Sequence, residues 1–534
     1  MQVGVMDPVL EPAAGGRVFE LARRLTFAGV ELVVGRDQLE SRDRLDQLLR
    51  DQAASGLDVP SLVLGEHSDR GGIADSDPVV AEQARGDVER AIGWAVELRA
   101  GAILVPFFGR GELRDEAGLE RAAAAFGALC RTSGEAGVVL CYEGTLPADA
   151  IRALADRVAS QAFGCYFDTA NVVAHGMDTA TEIRSLGSLI RRVHFKDVRV
   201  AVGDCPPGLG WVEFAETARA LDEIGYDGWI VLETPAGPRE LVARDLSFAR
   251  SVLPRLPRPE WPRLGIFTYE FGRGEWPRII ETCRRLGLAS LQLGGAVLEE
   301  CLEQPDGIGS VVAQLDDAGI SIAALAGYRN LVAPDPATRR ANLDFLARCL
   351  ELAPRFGTSV VATGTGTRSL AGDWVDSPEN VQPETEELLE ASLAELVPAA
   401  ERAGAILALE AHVETVLRSR VTLLGVLERF PTPHLQVVLD PYNYVSRHLL
   451  PAQERVTRDF LERFEHRFVL AHLKDVDPGG ADVATIEFGT GSFSQEAYLE
   501  FLATRRPDLP LILEHLPLEH VSAAIGRVRD LRDT

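Results

Sequence analysis

The chain has 534 residues, of which 46% are hydrophobic and 25% charged, so it can bury a sizeable core and is long enough for two or more domains. Its formal net charge of −26 argues against nucleic-acid partners, which normally need a basic face to replace the counterions of phosphates, and against anionic membranes. The seven scattered cysteines fit a reducing compartment. With no visible signal peptide or membrane span, we expect a cytoplasmic protein.

The first half of the chain alternates short apolar runs with stretches rich in Ala, Leu, Arg and Glu. This alternation predicts parallel strands separated by helices. Eight such units within residues 1–252 predict a (β/α)8 barrel. The predicted strands are Val3–Met6, Val30–Val34, Ser61–Leu64, Ala102–Phe107, Val138–Glu143, Gly164–Asp168, Arg191–Phe195 and Trp229–Glu233.

A proline-rich segment, residues 253–262, follows near the midpoint of the chain. Its four prolines lack amide hydrogens and disfavour helix at the preceding residues, so we expect a stiff linker. We therefore predict two domains, residues 1–252 and 263–534.

The second half repeats the alternation of strands and helices. The whole chain is therefore predicted to be an α/β protein with two tandem (β/α)8 TIM barrels. The predicted strands are Leu264–Phe267, Ser290–Leu293, Ile320–Leu325, Ser359–Thr363, Ile406–Glu410, Leu435–Asp440, Val469–Leu473 and Leu511–Glu514.

The pattern His-x-Lys-Asp occurs once in each half, and the same acidic residues surround both copies in the same order. This recurrence indicates duplication of a whole domain. Each of these residues lies at the C-terminal end of a predicted strand, and a parallel barrel brings its strand ends to one rim. The two sets are Glu143, Asp168, His194 and Glu233, and Glu410, Asp440, His472 and Glu514.

Two Glu, one Asp and one His can together ligate a divalent cation. Their oxygens and single imidazole suit Mn²⁺, Mg²⁺ or Co²⁺, and Zn²⁺ is less favoured without Cys. One strand-end carboxylate alone is usually a solvated cap or an ion-pair partner, but the ordered set occurs twice. Lys196 and Lys474 share a strand face with the His residues and could hold an anionic substrate oxygen. The alternative is that each lysine pairs with a neighbouring acid.

These residues resemble the xylose isomerase-like TIM-barrel superfamily, the sugar phosphate isomerase/epimerase group, once in each half. The second half adds Tyr328-Arg329-Asn330, Pro334-Asp335-Pro336 and the stretch from Trp374 to Asn380. The resemblance implies that both sets are metal ligands. It further implies that two glutamates in each half act as acid and base: Glu143 with Glu233, and Glu410 with Glu514. A nuclease branch of the superfamily uses more histidines than the first half offers, and the net charge opposes DNA.

Further substrate contacts are expected near these ligands. Some epimerases of the superfamily carry His three residues after the Asp, where this chain has Asn171 and Asn443. Asn can hydrogen-bond a sugar hydroxyl but cannot shuttle a proton at neutral pH. At the third strand the halves differ, with His67 as a candidate contact in the first and Arg329, which could grip a carboxylate or phosphate, in the second.

The activity that the resemblance implies is a metal-dependent isomerase or epimerase. It would remove the proton next to the carbonyl of a sugar, sugar phosphate or cyclitol and pass through a metal-stabilised enediolate, with Mn²⁺ the favoured ion. Expulsion of a hydroxyl from the same enediolate would make it a dehydratase (a lyase), like inosose dehydratase. A third reading is a non-catalytic binding or scaffold barrel pair. No nicotinamide or flavin is expected. Homologous barrels often pair, so we expect an intramolecular pseudo-dimer and leave further homo-oligomerisation open.

Overall fold

A computed structural model describes residues 1–258, 261–477 and 484–532 of the protein. The chain divides into two compact units, Met1–Arg258 and Pro259–Thr534. Residues 259 and 260 of the predicted linker lie outside the described residues.

The first unit is a closed barrel in which strands β1 to β8 pair in parallel in chain order, and β8 pairs with β1. The prediction of a (β/α)8 barrel is confirmed here, with strand bounds that differ from the predicted ones by two residues or fewer. The strands β1 to β8 are Gln2–Met6, Gly29–Val33, Leu62–Val63, Ala102–Phe107, Val139–Gly144, Phe163–Asp168, Ile190–Phe195 and Trp229–Leu232.

Helices lie between these strands and begin at capping residues that the sequence supplies. Asp77 and Asp115, for example, accept hydrogen bonds from backbone N–H groups in the first turns of their helices. The helices α1 to α12 are Asp7–Ala14, Val18–Arg24, Arg36–Leu39, Arg42–Ser55, His67–Arg70, Pro78–Leu98, Glu116–Glu135, Ala148–Val158, Thr169–Ala174, Thr179–Leu186, Phe214–Glu223 and Arg239–Val252.

The second unit is also a closed parallel barrel of eight strands, so the second predicted barrel is confirmed. Its strands are β9 to β15 and β18, and a two-stranded antiparallel hairpin of β16 and β17 follows β15. In chain order β9 to β18 are Leu264–Phe267, Ser290–Leu293, Ser321–Ala326, Val360–Gly364, Ile406–Glu410, Leu435–Leu439, Phe468–Leu473, Asp475–Asp477, Ala484–Ile486 and Leu511–Leu513.

The helices of the second unit pack outside its strands. The helices α13 to α21 are Trp276–Leu286, Gly295–Glu303, Ile308–Asp317, Pro336–Leu352, Pro383–Ala403, Arg420–Arg429, Gln453–Phe464, Glu496–Thr504 and Val521–Arg532. Short 3₁₀ helices among the described residues of both units are Gly109–Gly111, Gly187–Leu189, Pro305–Gly307, Ala353–Phe356, Pro378–Val381, Pro441–Tyr444, Leu450–Ala452, Glu465–Arg467 and Leu518–His520.

Each unit has its own hydrophobic core between strands and helices. Ile103 and Val231 in the first, and Leu407 and Leu511 in the second, have no exposed side-chain surface. Strands covered on both faces are expected to be almost wholly apolar, so a polar residue inside one requires a specific partner. All seven cysteines are buried free thiols. Among the described residues, we find no helix with the length and apolar character needed to cross a membrane.

Candidate metal centres

Strands β5 to β8 bring four predicted ligands of the first barrel together. Glu143 is the second-last residue of β5, Asp168 ends β6, His194 lies in β7, and Glu233 directly follows β8. One ligand atom of each residue lies within 4.8 Å of the corresponding atoms of the other three. The Nδ1 atom of His194 is 3.1 Å from Oε1 of Glu143 and 3.0 Å from Oε2 of Glu233. These residues therefore form one cluster at the C-terminal rim.

The two oxygens of Asp168 have different partners. Oδ1 caps helix α9 by accepting hydrogen bonds from the backbone N–H groups of Ala170 and Asn171, at 2.7 and 2.8 Å. Oδ2 is buried, has no hydrogen-bond partner among the described residues, and lies 3.5 Å from the Nζ atom of Lys196. The cap fixes the carboxylate, so that one oxygen stays available to a ligand.

The second barrel gathers the equivalent residues less tightly. Glu410, Asp440 and His472 each offer one ligand atom within 4.8 Å of the others. The Nδ1 atom of His472 lies 3.4 Å from Glu410, 3.2 Å from Asp440 and 3.7 Å from Oε2 of Glu514. The Oδ1 atom of Asp440 is buried and has no hydrogen-bond partner in the described part of the chain. Glu514, which follows β18, thus borders a three-residue cluster.

Both oxygens of Glu410 are held by neighbouring side chains. The Nδ2 group of Asn443 donates to Oε1 at 2.6 Å, and the hydroxyl of Tyr328 donates to Oε2 at 2.5 Å. Asn443 was predicted as a substrate contact, and the structure places it against a predicted ligand. Tyr328 was not predicted as a site residue, whereas its charged neighbour Arg329 was. Because successive residues of an extended segment point in opposite directions, only one of the two can face the cluster.

The two lysines of the repeated motif are the only lysines in the chain, although it has 54 basic residues. The Nζ atom of Lys474 lies 2.7 Å from both Asp440 and Glu514. The Nζ atom of Lys196 lies 2.6 Å from Oε1 of Glu233, as well as near Asp168. Both lysines therefore pair with acids. This pairing is the alternative to substrate binding that the sequence left open. An ammonium group has three N–H donors, so this pairing leaves capacity for a substrate oxygen.

The two glutamates of the first cluster have pKa values shifted in opposite directions. Burial raises the pKa of Glu143 to about 7, in spite of the favourable charge of His194. Burial acts in the same direction on Glu233, but His194 and Lys196 outweigh it and lower the pKa of that carboxyl to about 2. Groups with such opposed proton affinities fit the roles of acid and base.

The second cluster shows the same division. Burial raises the pKa of Glu410 to about 7. The pKa of Glu514 is lowered, because the charges of Lys474 and His472 outweigh the effect of burial. Several buried carboxylates around one imidazole need more positive charge than a single lysine provides. Together with the unpartnered Asp oxygens, this donor set fits a divalent cation bound through oxygen and nitrogen.

The Asp of each motif anchors a loop. Asp197 accepts hydrogen bonds through Oδ2 from the N–H groups of Gly208 and Gly210, at 2.9 and 2.8 Å. Asp475 does the same for Gly489 and Gly491, both at 3.1 Å. Gly208 and Gly489 have φ values of +85° and +78°, which favour glycine. The motif thus combines a predicted metal ligand, a cation and a loop anchor.

A cavity of about 770 Å³ opens above the second cluster. Its volume is within the usual range for small-molecule sites. His412, which the sequence analysis missed, also lines it. The Nδ1 atom of His412 accepts a hydrogen bond from the N–H of Glu414, and burial lowers the pKa of the imidazole to about 4, so the ring is neutral. Other lining residues are Tyr269, Tyr328, Trp374, Glu410, Tyr442, Asn443, Lys474 and Glu514.

Three other predicted substrate contacts have different surroundings. His67 is buried, with Nε2 3.4 Å from Asp87 on helix α6. The guanidinium of Arg329 lies 3.8 Å from the ring centroid of Phe345, and Arg329 is not among the described residues that line the large cavity. Asn171 is buried in the first turn of α9, where its backbone N–H donates to the capping Asp168. Substrate binding by these three residues stays a prediction.

The fold and the sites define a class of protein: a tandem parallel barrel with an acidic, histidine-containing cluster at the rim of each barrel. The family model for xylose isomerase-like TIM barrels matches residues 19–252 and 280–531. The chain therefore belongs to that family.

Individual relatives cover only part of the chain. An inosose dehydratase of Lacticaseibacillus casei is 32% identical over 90 residues, which are 14% of this chain and 30% of that enzyme. The chain therefore aligns with less than a third of that relative. A putative L-ribulose-5-phosphate 3-epimerase of Escherichia coli (strain K12) is 27% identical over 234 residues, 40% of this chain and 81% of the relative.

Similar solved structures include two sugar epimerases. A D-psicose 3-epimerase of Clostridium cellulolyticum H10 is 17% identical and covers 47% of this chain and 99% of its own, with a TM-score of 0.41. A 3-keto-D-glucoside 4-epimerase of E. coli is also 17% identical, with the same coverage and a TM-score of 0.40.

Proposed function

We propose that this chain is a divalent-metal-dependent isomerase or epimerase of a small sugar or sugar phosphate. The observation that carries the proposal is the four-residue cluster of the first barrel, with its counterpart in the second. The favoured ion is Mn²⁺, and Mg²⁺, Co²⁺ and Zn²⁺ are alternatives. When bound, the cation would supply Lewis-acid stabilisation of the negative charge that develops on the substrate's oxygens.

The proton chemistry falls to the glutamates. Glu143 lies at the C-terminal end of β5 and Glu233 follows β8, so two other strands separate them and they approach the site from different sides. One carboxylate removes the proton next to the carbonyl, and the other returns a proton to the opposite face or to the neighbouring carbon. Glu410 and Glu514 have the same positions in the second barrel.

Other side chains would bind and orient the substrate. Lys196 and Lys474 lie within hydrogen-bond distance of Glu233 and Glu514, so each can stabilise an enediolate oxygen close to the carboxylate that moves the proton. In the second barrel the aromatic rings of Trp374 and Tyr269 offer apolar surface to the C–H face of a sugar.

Solvent deuterium exchange tests this proposal before the substrate is known. Metal-free protein and protein supplied with Mn²⁺ are incubated in D₂O with ketoses, sugar phosphates and keto-cyclitols and followed by NMR. We expect Mn²⁺-dependent deuterium at the carbon next to the carbonyl. In the double variant Glu233→Gln, Glu514→Gln the exchange should fall about 10²- to 10⁴-fold, the usual contribution of a general acid or base.

The exposed Glu519 provides a matched control, because Glu519→Gln makes the same chemical change outside both clusters. Full exchange in this control with loss in the double variant would support the proposal. Exchange that persists in the double variant would refute the roles given to the glutamates. The absence of exchange with the whole panel would favour the non-catalytic reading.

A second candidate is a dehydratase of a keto-cyclitol or keto-sugar. The match to inosose dehydratases favours it, although that match spans only 30% of their length. Both reactions begin with the same proton removal, after which a dehydratase expels a neighbouring hydroxyl as water. A keto-cyclitol that gains enone absorbance and loses water would identify the dehydratase, whereas an epimer without enone absorbance would identify the isomerase class.

A further inference from the structure

The second strand of each barrel carries one fully buried polar residue that faces the histidine of its cluster. Glu31 lies in β2 and Gln292 in β10, and neither has exposed surface. The Nε2 atom of His194 is 2.7 Å from Oε2 of Glu31. The Nε2 atom of His472 is 3.0 Å from Oε1 of Gln292. The two barrels thus use different acceptors at the same position.

The neighbours of these two residues fix which atom faces the imidazole. Oε1 of Glu31 accepts hydrogen bonds from the hydroxyls of Ser61 and Tyr166, so its carboxylate is held by polar contacts on both oxygens. The Nε2 group of Gln292 donates to the hydroxyl of Tyr328 at 3.4 Å, which leaves its Oε1 toward His472. In both barrels Nε2 can therefore donate its hydrogen to this residue, while Nδ1 faces the acidic ligands and would offer its lone pair to a bound cation.

We propose that this Glu-to-Gln difference makes the two metal centres unequal, so that the first barrel binds a given divalent cation more tightly than the second. The inference rests on the metal dependence proposed above. It assigns Glu31 and Gln292 as positioning residues, because each acts through the histidine.

Two physical effects favour the first barrel. A carboxylate that accepts the Nε2 proton makes the imidazole a stronger donor at Nδ1, and such outer partners commonly change metal affinity 10- to 100-fold. Glu31 also adds negative charge, so that four carboxylates face one lysine in the first barrel and three face one lysine in the second. The negative charge of Glu31 also attracts a proton to His194, but it attracts a doubly charged ion more strongly.

The two lysines allow each site to be observed separately in the intact protein. Lys196 and Lys474 each contact their own cluster, and a chain labelled with ¹³C-lysine has only these two lysine signals. The variants Lys196→Met and Lys474→Met assign the signals. Bound Mn²⁺ broadens the signal of a nearby lysine, so a Mn²⁺ titration gives the occupancy of each site. We expect the Lys196 signal to broaden at a Mn²⁺ concentration about 10- to 100-fold lower.

The reciprocal variants test the cause. Glu31→Gln should move the Lys196 titration to higher Mn²⁺, and Gln292→Glu should move the Lys474 titration to lower Mn²⁺. The unaltered site in each variant is an internal control for folding, because its midpoint should not change. Equal midpoints in the wild type, or midpoints that neither variant moves, would overturn this inference and leave metal dependence standing. No broadening of either signal would overturn metal dependence itself, and this inference with it.

Discussion

Replacing Lys474 by Met should destabilise the second barrel in a manner that a divalent cation corrects. The Nζ atom of Lys474 lies 2.7 Å from both Asp440 and Glu514, and only 3% of its side chain is exposed. Met keeps much of the apolar length but removes the charge, so Asp440, Glu410 and Glu514 are left as buried carboxylates without that partner. Removal of one member of a buried ion pair costs about 3–5 kcal/mol.

The expected effect can be measured by thermal unfolding. One kcal/mol corresponds to about 2–4 °C for a domain of this size, so the metal-free variant should unfold roughly 6–20 °C below the wild type in the transition of the second barrel. A cation that replaces the missing charge should be bound more tightly by the variant. At a Mn²⁺ concentration 100 times the dissociation constant the wild type gains about 2.7 kcal/mol. The variant should gain more than this and recover most of its loss.

Two controls separate site electrostatics from general damage. Lys196→Met removes the matching charge in the first barrel, where Nζ lies 2.6 Å from Glu233 and 3.5 Å from Asp168, so it should lower the transition of the first barrel and leave that of the second unchanged. Arg340→Met breaks exposed pairs with Asp344 and Glu395 and should cost no more than about 1 kcal/mol. A metal-free melting temperature for Lys474→Met that equals the wild type, or equal stabilisation of both proteins by Mn²⁺, would refute the reasoning.

Two further predictions concern a buried acid and the cavity wall. Burial raises the pKa of Asp7 from 3.8 to about 7, so the folded state keeps a proton that the unfolded state has lost, and stability should fall as pH rises from about 4 to 7. Asp7→Asn keeps the acceptor for the N–H of Val33 and should remove this pH dependence. The free energy of unfolding should then rise by about 2–4 kcal/mol at pH 8, which denaturant unfolding at pH 5 and pH 8 would measure. The same pH dependence of stability in the variant and the wild type would contradict the prediction. Trp374→Ala removes apolar contact from the cavity wall, so calorimetry should show about 10-fold weaker binding of a neutral ketose to the Mn²⁺-loaded protein. The control Trp211→Ala, on an exposed loop of the first barrel, should leave this affinity unchanged. Equal affinities of the Trp374→Ala variant and the wild type would contradict the prediction.

The fold could be predicted because its signal is local and repeated. Each of the sixteen barrel strands is a short apolar run, since both faces of a barrel strand are buried. The predicted strands extended to Glu233 and Glu514, but β8 and β18 end before these residues. Their backbone N–H groups still donate to Phe195 and Leu473, so the barrel ladder positions both glutamates although they are the first loop residues.

The supporting residues could not be found in the same way. Glu31 and Gln292 lie about 160 to 180 residues before the histidines that they contact, and only closure of each barrel brings them together. A local signal was nevertheless present, because each is a long polar residue directly flanked by apolar residues, Glu31 by Val30 and Leu32 and Gln292 by Leu291 and Leu293. Tyr328 was not predicted, because the charge of Arg329 favoured that neighbour as the substrate contact. The guanidinium of Arg329 packs against Phe345 instead.

The use of lysine supports the role proposed for both clusters. Arginine serves nearly everywhere that this chain needs a cation, and lysine occurs only at positions 196 and 474. Stability alone does not demand such a choice, since arginine pairs with carboxylates at least as well. An ammonium is compact and has three N–H donors, so that pairing with two acids leaves one for the proposed substrate oxygen, whereas a guanidinium is larger and presents its donors in a fixed plane. A barrel retained only as a scaffold would have no need for that small charge, and both barrels have it.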